Sequence, residues 1–269
     1  DIRLQLQLKD PVTYLSSFER PNIHLEVRAG IQRIEQIREF VKKREGQPGI
    51  IYCLARKTTE SIAETLKKNG YKAAAYHAEI DNVTRRRVQE DFQFDRLQIV
   101  CATIAFGMGI DKPNIRWIIH YNLPKNIENY YQEIGRSGRD GQPADALMFY
   151  SFRDVEVYKD FITSSEANET FKRVQSEKLE RIWEYSQATN CRTNVILNYF
   201  GEYRSAGCGH CDHCLHPLQG FDGTKLAQIA LSACKRCNQS VGINMLVDVI
   251  RGSGRKEIYE RGFHQIKTY

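Results

Sequence analysis

From Ile23 onward, short runs of apolar and β-branched residues alternate with longer stretches whose apolar positions recur every three or four residues. The short runs predict strands over Ile23–Val27, Gly49–Cys53, Lys72–Tyr76, Leu97–Ala102, Arg116–Tyr121 and Ala144–Tyr150. The stretches between them predict helices near Gln32–Arg44, Thr59–Asn69, Val83–Phe92 and Ile127–Gly135. In the 59–69 segment, Ile62, Ala63 and Leu66 share one face, Glu60 sits in the first turn, Lys67 and Lys68 sit in the last, and Gly70 closes it. That charge order suits the helix dipole, and the apolar face needs a surface to pack on. Strands joined by crossover helices predict an α/β fold, a parallel sheet with helices on both faces. Ligands of such sheets gather at the carboxyl ends of the strands, so chemistry is expected in the loops after Cys53, Tyr76, Ala102 and Tyr121.

Past Tyr150 the strand pattern fades. Asn168–Thr189 reads as one long charged helix carrying Phe171, Leu179, Ile182 and Trp183, and Arg192–Phe200 as a second. A cysteine-dense stretch follows, then a linker at Pro217–Gly220 and a helical Thr224–Cys237. There is no internal repeat and no low-complexity tract.

Composition narrows the class. The 269 residues are 41% apolar and 27% charged, too hydrophobic for a disordered chain. No stretch approaches the roughly 18 to 20 apolar residues that span a bilayer, and no signal peptide opens the chain, so a soluble protein without a membrane partner is expected. Because the first residue is Asp1 rather than Met, the chain also reads as a piece of something longer. The net charge of +6 is unevenly spread: residues 1–150 carry 23 basic and 19 acidic side chains, residues 151–220 carry 8 and 10, and residues 221–269 carry 8 and 4. The last segment is the most basic per residue, which is compatible with contacts to a phosphate backbone and equally with a plain solvated surface.

Three clusters carry candidate chemistry. In Thr103-Ile-Ala-Phe-Gly-Met-Gly109-Ile-Asp111, a predicted strand runs into a loop with Gly107 and Gly109 two apart. Such glycines let backbone approach a charged ligand, and the Asp111 carboxylate can accept from a sugar hydroxyl; the same glycines also suit a simple turn. In Gln132-Glu-Ile-Gly-Arg136-Ser-Gly-Arg139, two guanidinium groups three apart leave a predicted helix end among small residues. Arginine is always charged and forks onto phosphate oxygens, the logic of an arginine finger; a basic surface turn is the bland alternative. Finally, Cys191, Cys208, Cys211 and Cys214 offer four thiolates with two two-residue spacings, the pattern of a closed, structural zinc site. His210, His213 and His216 interleave as competing donors, and Cys234 and Cys237, in a helical run, read as buried thiols.

Together these motifs resemble the RecQ family of superfamily 2 DNA helicases. Ser17–Ile23, Gly49–Cys53, Ala75–Ala78, Ala102–Asn114 and Gln132–Gly141 resemble successive motifs of the second RecA-like helicase domain. The cysteine pattern with Asn198–Glu202 resembles the family's zinc subdomain, and Asp222–Ser232, Val249–Gly252 and Lys267–Tyr269 resemble its winged-helix domain. The resemblance implies a RecA-like domain over residues 1–155 (1–20 being a lead-in from a first domain), a helical zinc-binding subdomain over 156–219, and a winged-helix segment over 220–269 that stops short of its last wing.

It also implies roles. Arg139, Arg136 and Gln132 would act on the ATP triphosphate, with Arg139 as the finger; Asp111 and Gly109 would lie by the nucleotide. Thr103 and His77 would lie on the strand that is translocated, and Arg251, Arg255 and Lys256 would grip duplex DNA. The cofactors implied are a structural zinc ion on the four cysteines and ATP with magnesium shared with a first RecA-like domain. The partners are single-stranded and forked or duplex DNA, in replication, recombination and repair with 3′-to-5′ unwinding, in the nucleoid-associated cytoplasm of a bacterium or the nucleus of a eukaryote. Two departures stand out: Gly-x4-Gly-Lys-Ser/Thr occurs nowhere, and no Asp-Glu pair is followed by histidine, so the phosphate cradle and the water-activating carboxylates lie outside these residues. The chain alone is therefore expected not to hydrolyse ATP. A zinc and winged-helix protein that only binds DNA, and half of an RNA helicase, are the alternatives.

Overall fold

Six strands all pair in parallel, in the order β1-β6-β5-β2-β4-β3. They are β1 (Ile23–Ala29), β2 (Gly49–Tyr52), β3 (Ala73–Tyr76), β4 (Ile99–Ala102), β5 (Trp117–His120) and β6 (Ala144–Tyr150). The structure, a computed structural model, describes residues 2–14, 16–104, 106–107 and 110–266. Gly109 and Lys267–Tyr269, singled out above, lie outside the described residues.

Side chains alternate across a pleated strand, and the register sorts them into two cores. Ile51 lies beside Cys101 and Ile119, and Ile119 beside Leu147. This face is covered by α2 (Arg33–Lys42) and α3 (Arg56–Lys68), through Ile37, Phe40, Val41, Ile62, Ala63 and Leu66. The opposite face presents Ile50, Val100 and Ile118 to Phe92 of α4 (Asn82–Gln93) and to Phe106. Farther along it, Ala146 and Met148 meet Ile127, Tyr130 and Ile134 of α5 (Ile127–Ile134). Most boundaries move by one or two residues and one by more: α3 begins three residues before Thr59, and the Thr59 hydroxyl turns back to the Ala55 carbonyl at 3.0 Å, buried inside the first turn.

The chain opens with one helical turn, α1 (Ile2–Gln5). After β6 come α6 (Phe152–Thr163), α7 (Glu169–Gln187), α8 (Arg192–Tyr199) and the short α9 (Asp212–Leu215). No helix is predicted over 152–163, yet the Ser151 side chain caps α6 by accepting from the Asp154 amide at 3.3 Å. Val155, Leu179, Ile182, Tyr185 and Ile196 from these helices share a core with Ile23, Leu25 and Met148 of the sheet. The cysteine hairpin therefore grows out of the sheet's own packing. It also covers the β1 edge, where the Val27 amide donates to Asp212 Oδ2 at 3.1 Å and His24 Nδ1 meets the His210 carbonyl.

Residues 218–269 form a separate unit. It holds α10 (Thr224–Arg236), α11 (Ile243–Ile250), α12 (Lys256–Glu260) and a 3-10 turn at Phe263–Gln265, around Cys237, Met245, Val249 and Ile258. Cys237 is fully buried and Cys234 partly so. No described helix in the protein is long and apolar enough to cross a membrane.

Candidate nucleotide and nucleic-acid site beside a four-cysteine centre

The loop between β4 and β5 meets the turn between α5 and β6. This turn lies by the amino ends of β1, β5 and β6, not at the carboxyl ends where chemistry is expected from the sequence: the Gly138 amide donates to the Ile115 carbonyl at 2.9 Å and Asn22 Nδ2 to the Gly138 carbonyl at 2.8 Å. Arg136 leaves the end of α5 and donates from Nη1 to the Gly107 carbonyl. Gly107 has φ +153, and a Cβ there would stand 2.4 Å from the Arg136 guanidinium carbon, so a side chain at this position would displace the arginine from the loop. Arg139 donates to the Ile110 carbonyl at 3.2 Å and pairs with Asp111 Oδ1 at 3.4 Å. Asp111 is 95% exposed, so it holds Arg139 only loosely and keeps acceptor capacity for a ligand. The fold thus gathers Gly107, Asp111, Arg136 and Arg139, which are up to 32 positions apart in sequence. Gln132 is exposed on α5, one turn before Arg136.

Tyr52, at the end of β2, donates from its hydroxyl to the Phe106 carbonyl at 3.2 Å and lies beside Arg136. Burial pushes this phenol well above its ordinary pKa, against the opposing pull of Arg136. It stays a neutral donor that ties the glycine loop to the sheet. Arg136 Nε is buried without a hydrogen-bond partner among the described residues, so this guanidinium is only partly satisfied in its resting place.

Thr103 is half-buried and lines a cavity of about 370 Å³ with Tyr52, Leu54, His120 and Glu133 on the sheet side and Tyr158 and Leu179 on the helical side. His120 and Glu133 form a buried pair at 2.7 Å, and the imidazole stacks on Tyr52 at 5.4 Å. His77 is only 3% exposed, and its Nε2 faces Glu60 at 3.1 Å. Its ring is turned into the protein, unlike a side chain that meets DNA directly. In the separate unit, Arg251 is exposed and makes no ion pair among the described residues. Arg255 pairs with Asp248 at 3.0 Å and Lys256 with Glu260 at 3.2 Å.

The ligand sulfurs of Cys191, Cys208, Cys211 and Cys214 all lie within 4.8 Å of one another. Zinc–sulfur bonds of about 2.3 Å put the edges of a tetrahedron at about 3.8 Å. The Cys208–Cys214 and Cys191–Cys211 edges measure 3.9 and 4.0 Å, so the residues fit a closed zinc centre with four thiolate ligands. Backbone amides point at the sulfurs: Cys208 N to Cys191 at 3.2 Å, Cys211 N to Cys208 at 3.3 Å and Arg192 N to Cys211 at 3.4 Å. Burial pushes Cys211 up to about 12 and raises Cys191. For Cys208 burial acts the same way, but the nearby Thr193 hydroxyl and bonds from the His210 and Cys211 amides outweigh it and lower the thiol to about 6. His210 Nδ1 meets the Cys208 carbonyl at 2.9 Å, His213 Nε2 is taken by the Ala188 carbonyl at 2.9 Å and His216 is exposed, so the close-set donor group among the described residues is the four cysteines.

Nothing in the sequence marks Tyr52, His120 or Glu133 as site residues, since apolar neighbours make them look like core. The aromatic or polar residue at each strand's carboxyl end is the one available signal. Arg20 and Asn22 lie in the Ser17–Ile23 motif, but their partners are more than 110 positions away.

A parallel sheet with an arginine pair folded onto the glycine loop between β4 and β5, and a four-cysteine hairpin on its edge strand, defines the C-terminal half of a RecA-type helicase core. Comparison with known proteins agrees: the family model described as the helicase conserved C-terminal domain matches residues 32–141, that of RecQ zinc-binding matches 152–215, and that of the RQC domain matches 217–269. The chain is 44% identical over 270 residues to the ATP-dependent DNA helicase RecQ of Haemophilus influenzae, covering 100% of this chain and 43% of that protein. It is 40% identical to the protein of the same name from Pasteurella multocida (100% and 42% covered) and 37% identical to that of Bacillus subtilis (100% and 45%). The chain belongs to the RecQ family. It spans less than half the length of these relatives.

Proposed function

We propose that this chain works as the C-terminal part of an ATP-dependent DNA helicase, supplying one wall of an ATP site whose other wall is a RecA-like domain with a phosphate-binding glycine loop. The observation that carries the reading is the convergence of Arg136 and Arg139 on the Gly107–Asp111 loop. ATP held by the other domain, with magnesium on its phosphates, would face this surface. Arg139, only weakly held by Asp111, swings to the triphosphate as the finger; Arg136 and Gln132 support it, and Asp111 and Gly109 border the ribose. Closure brings positive charge onto the transferring phosphoryl group, and hydrolysis releases it.

Thr103 lies on the loop that Arg136 touches, so opening and closing at the nucleotide would move the residue assigned to the strand phosphate. His77, whose ring faces Glu60, is assigned to the same strand. The four cysteines hold zinc in a closed site that contributes fold rather than reaction. Arg251, Arg255 and Lys256 are assigned to duplex or forked DNA, and the direction of travel to 3′-to-5′. Domain limits at 155/156 and 219/220 belong to the same proposal.

The test is Arg139→Ala in the intact protein. DNA-stimulated ATP turnover is expected to fall by about 10³- to 10⁵-fold while ATP binding stays near wild type. Equal loss of both would remove the finger role.

A further inference from the structure

We infer that Ser17–Asn22 is a strap that sets the arginine-bearing turn against the zinc hairpin, with Arg20 as a positioning residue for Arg136 and Arg139; this rests on the finger reading above. The last carbonyls of a helix have no partner within it. Those of α5 are taken by the Gly135, Arg136 and Ser137 amides, and the carbonyls of the turn beyond are met by Arg20, which donates from Nη1 to Gly135 O at 3.4 Å and from Nη2 to Ser137 O at 3.1 Å and Gly138 O at 3.5 Å. A cation there also suits the helix dipole. Asn22 Nδ2 adds bonds to Gly138 O at 2.8 Å and Gln142 O at 2.9 Å. Gly138 has φ +57, and a Cβ would stand 2.4 Å from Asn22 Nδ2, so its missing side chain is what admits the strap. The backbone of the turn is thereby held from one side, while Arg136 and Arg139 reach the Gly107–Asp111 loop with their side chains.

The other end of the strap is fastened to the hairpin. Ser17 Oγ donates to Glu202 Oε2 at 2.6 Å and the Phe18 amide to Glu202 Oε1 at 2.8 Å, and Glu19 pairs with Arg204. Phe18 stacks on Phe200 at 4.4 Å with planes 12° apart. Tyr131 of α5 sets its edge against Phe200 at 5.1 Å and donates from its hydroxyl to the Phe18 carbonyl at 2.9 Å. Phe200, Glu202 and Arg204 lie between Cys191 and Cys208, the first two cysteines of the cluster. Residues 16–20 belong to no helix or strand, so contacts of this kind hold the strap in place. Metal-held geometry in the hairpin is thus passed through Glu202 and Phe18 to Arg20, and from Arg20 to the turn.

The experiment measures steady-state ATP turnover of the intact helicase with saturating DNA for Arg20→Ala, Arg20→Lys, Glu202→Ala and Arg139→Ala, with zinc content read on each. A misplaced reacting group costs on the order of 10²-fold. Arg20→Ala is expected to lower kcat by about 10- to 100-fold, with KM for ATP within about twofold and zinc still bound, and Arg20→Lys to recover part of the loss. Glu202→Ala cuts only the hairpin end and is expected to lower kcat in the same way, which keeps the test open if Arg20→Ala folds poorly. Wild-type kcat in both Arg20→Ala and Glu202→Ala, alongside a collapsed Arg139→Ala, overturns the strap and leaves the finger intact. Undiminished turnover in Arg139→Ala overturns the finger itself, and with it the purpose assigned to the strap.

Discussion

Replacing Cys211 by serine strikes the point where metal, hairpin and sheet meet. Cys211 is fully buried, its sulfur takes the Arg192 amide at 3.4 Å, and it belongs to the same core as Ile23, Leu25 and Tyr185. Structural zinc contributes about 10–16 kcal/mol in small zinc modules at neutral pH, against a net stability of about 5–15 kcal/mol for a whole domain. Three remaining thiolates cannot close the tetrahedron, so the loss exceeds what the bonds of Asp212 with Val27 and Arg192, at 3.1 Å each, can offset. The two sheet cores formed with α2, α3 and α4 contain no residue beyond Phe149 and should survive. Cys211→Ser is therefore expected to hold well under one zinc per chain by elemental analysis. In hydrogen-exchange mass spectrometry, amides of 192–215 should lose protection while those of β2 and β4 keep it. Retained zinc with unchanged protection, or simultaneous loss of β2 and β4, would refute the reasoning.

Two further outcomes follow from charge. Burial holds protons on Cys211, pushed up to about 12, and on Cys191 when the site is free of metal, so zinc must displace them. Zinc affinity should fall as pH drops, and calorimetry at pH 7 in buffers of different ionisation enthalpy should show proton release; no release would contradict the thiol assignment. In the separate basic unit, Arg251 has no ion pair among the described residues whereas Arg255 already pairs with Asp248. Arg251→Ala should flatten the log–log salt dependence of duplex binding by about one and Arg255→Ala by less, and equal slopes would count against the assignment.

The sheet was legible because its signal is local. The short apolar runs at Gly49–Tyr52 and Ile99–Ala102 are strands buried on both faces, and β1 and β6 begin at the predicted residues. The zinc centre was legible for the same reason, since three of its four ligands fall within seven residues. Helix α6 escaped because its cap at Ser151 follows a strand directly, leaving no turn residues to announce it. What no window of sequence could show is the strap. Arg20 and Asn22 look like polar residues around a proline, and their meaning lies in carbonyls brought to them by a parallel sheet in which β1 and β6, first and last in sequence, are neighbours. His77 shows the reverse case, a motif residue whose ring the fold turns inward onto Glu60.

The central claim is that the arginine wall completes an ATP site built elsewhere. ATP turnover with saturating single-stranded DNA, measured side by side on these 269 residues alone and on the same residues joined to a RecA-like domain bearing a phosphate-binding glycine loop, tests it most directly. Background turnover for the first and DNA-stimulated turnover for the second is the expected result. DNA-stimulated turnover by the 269 residues alone would contradict it.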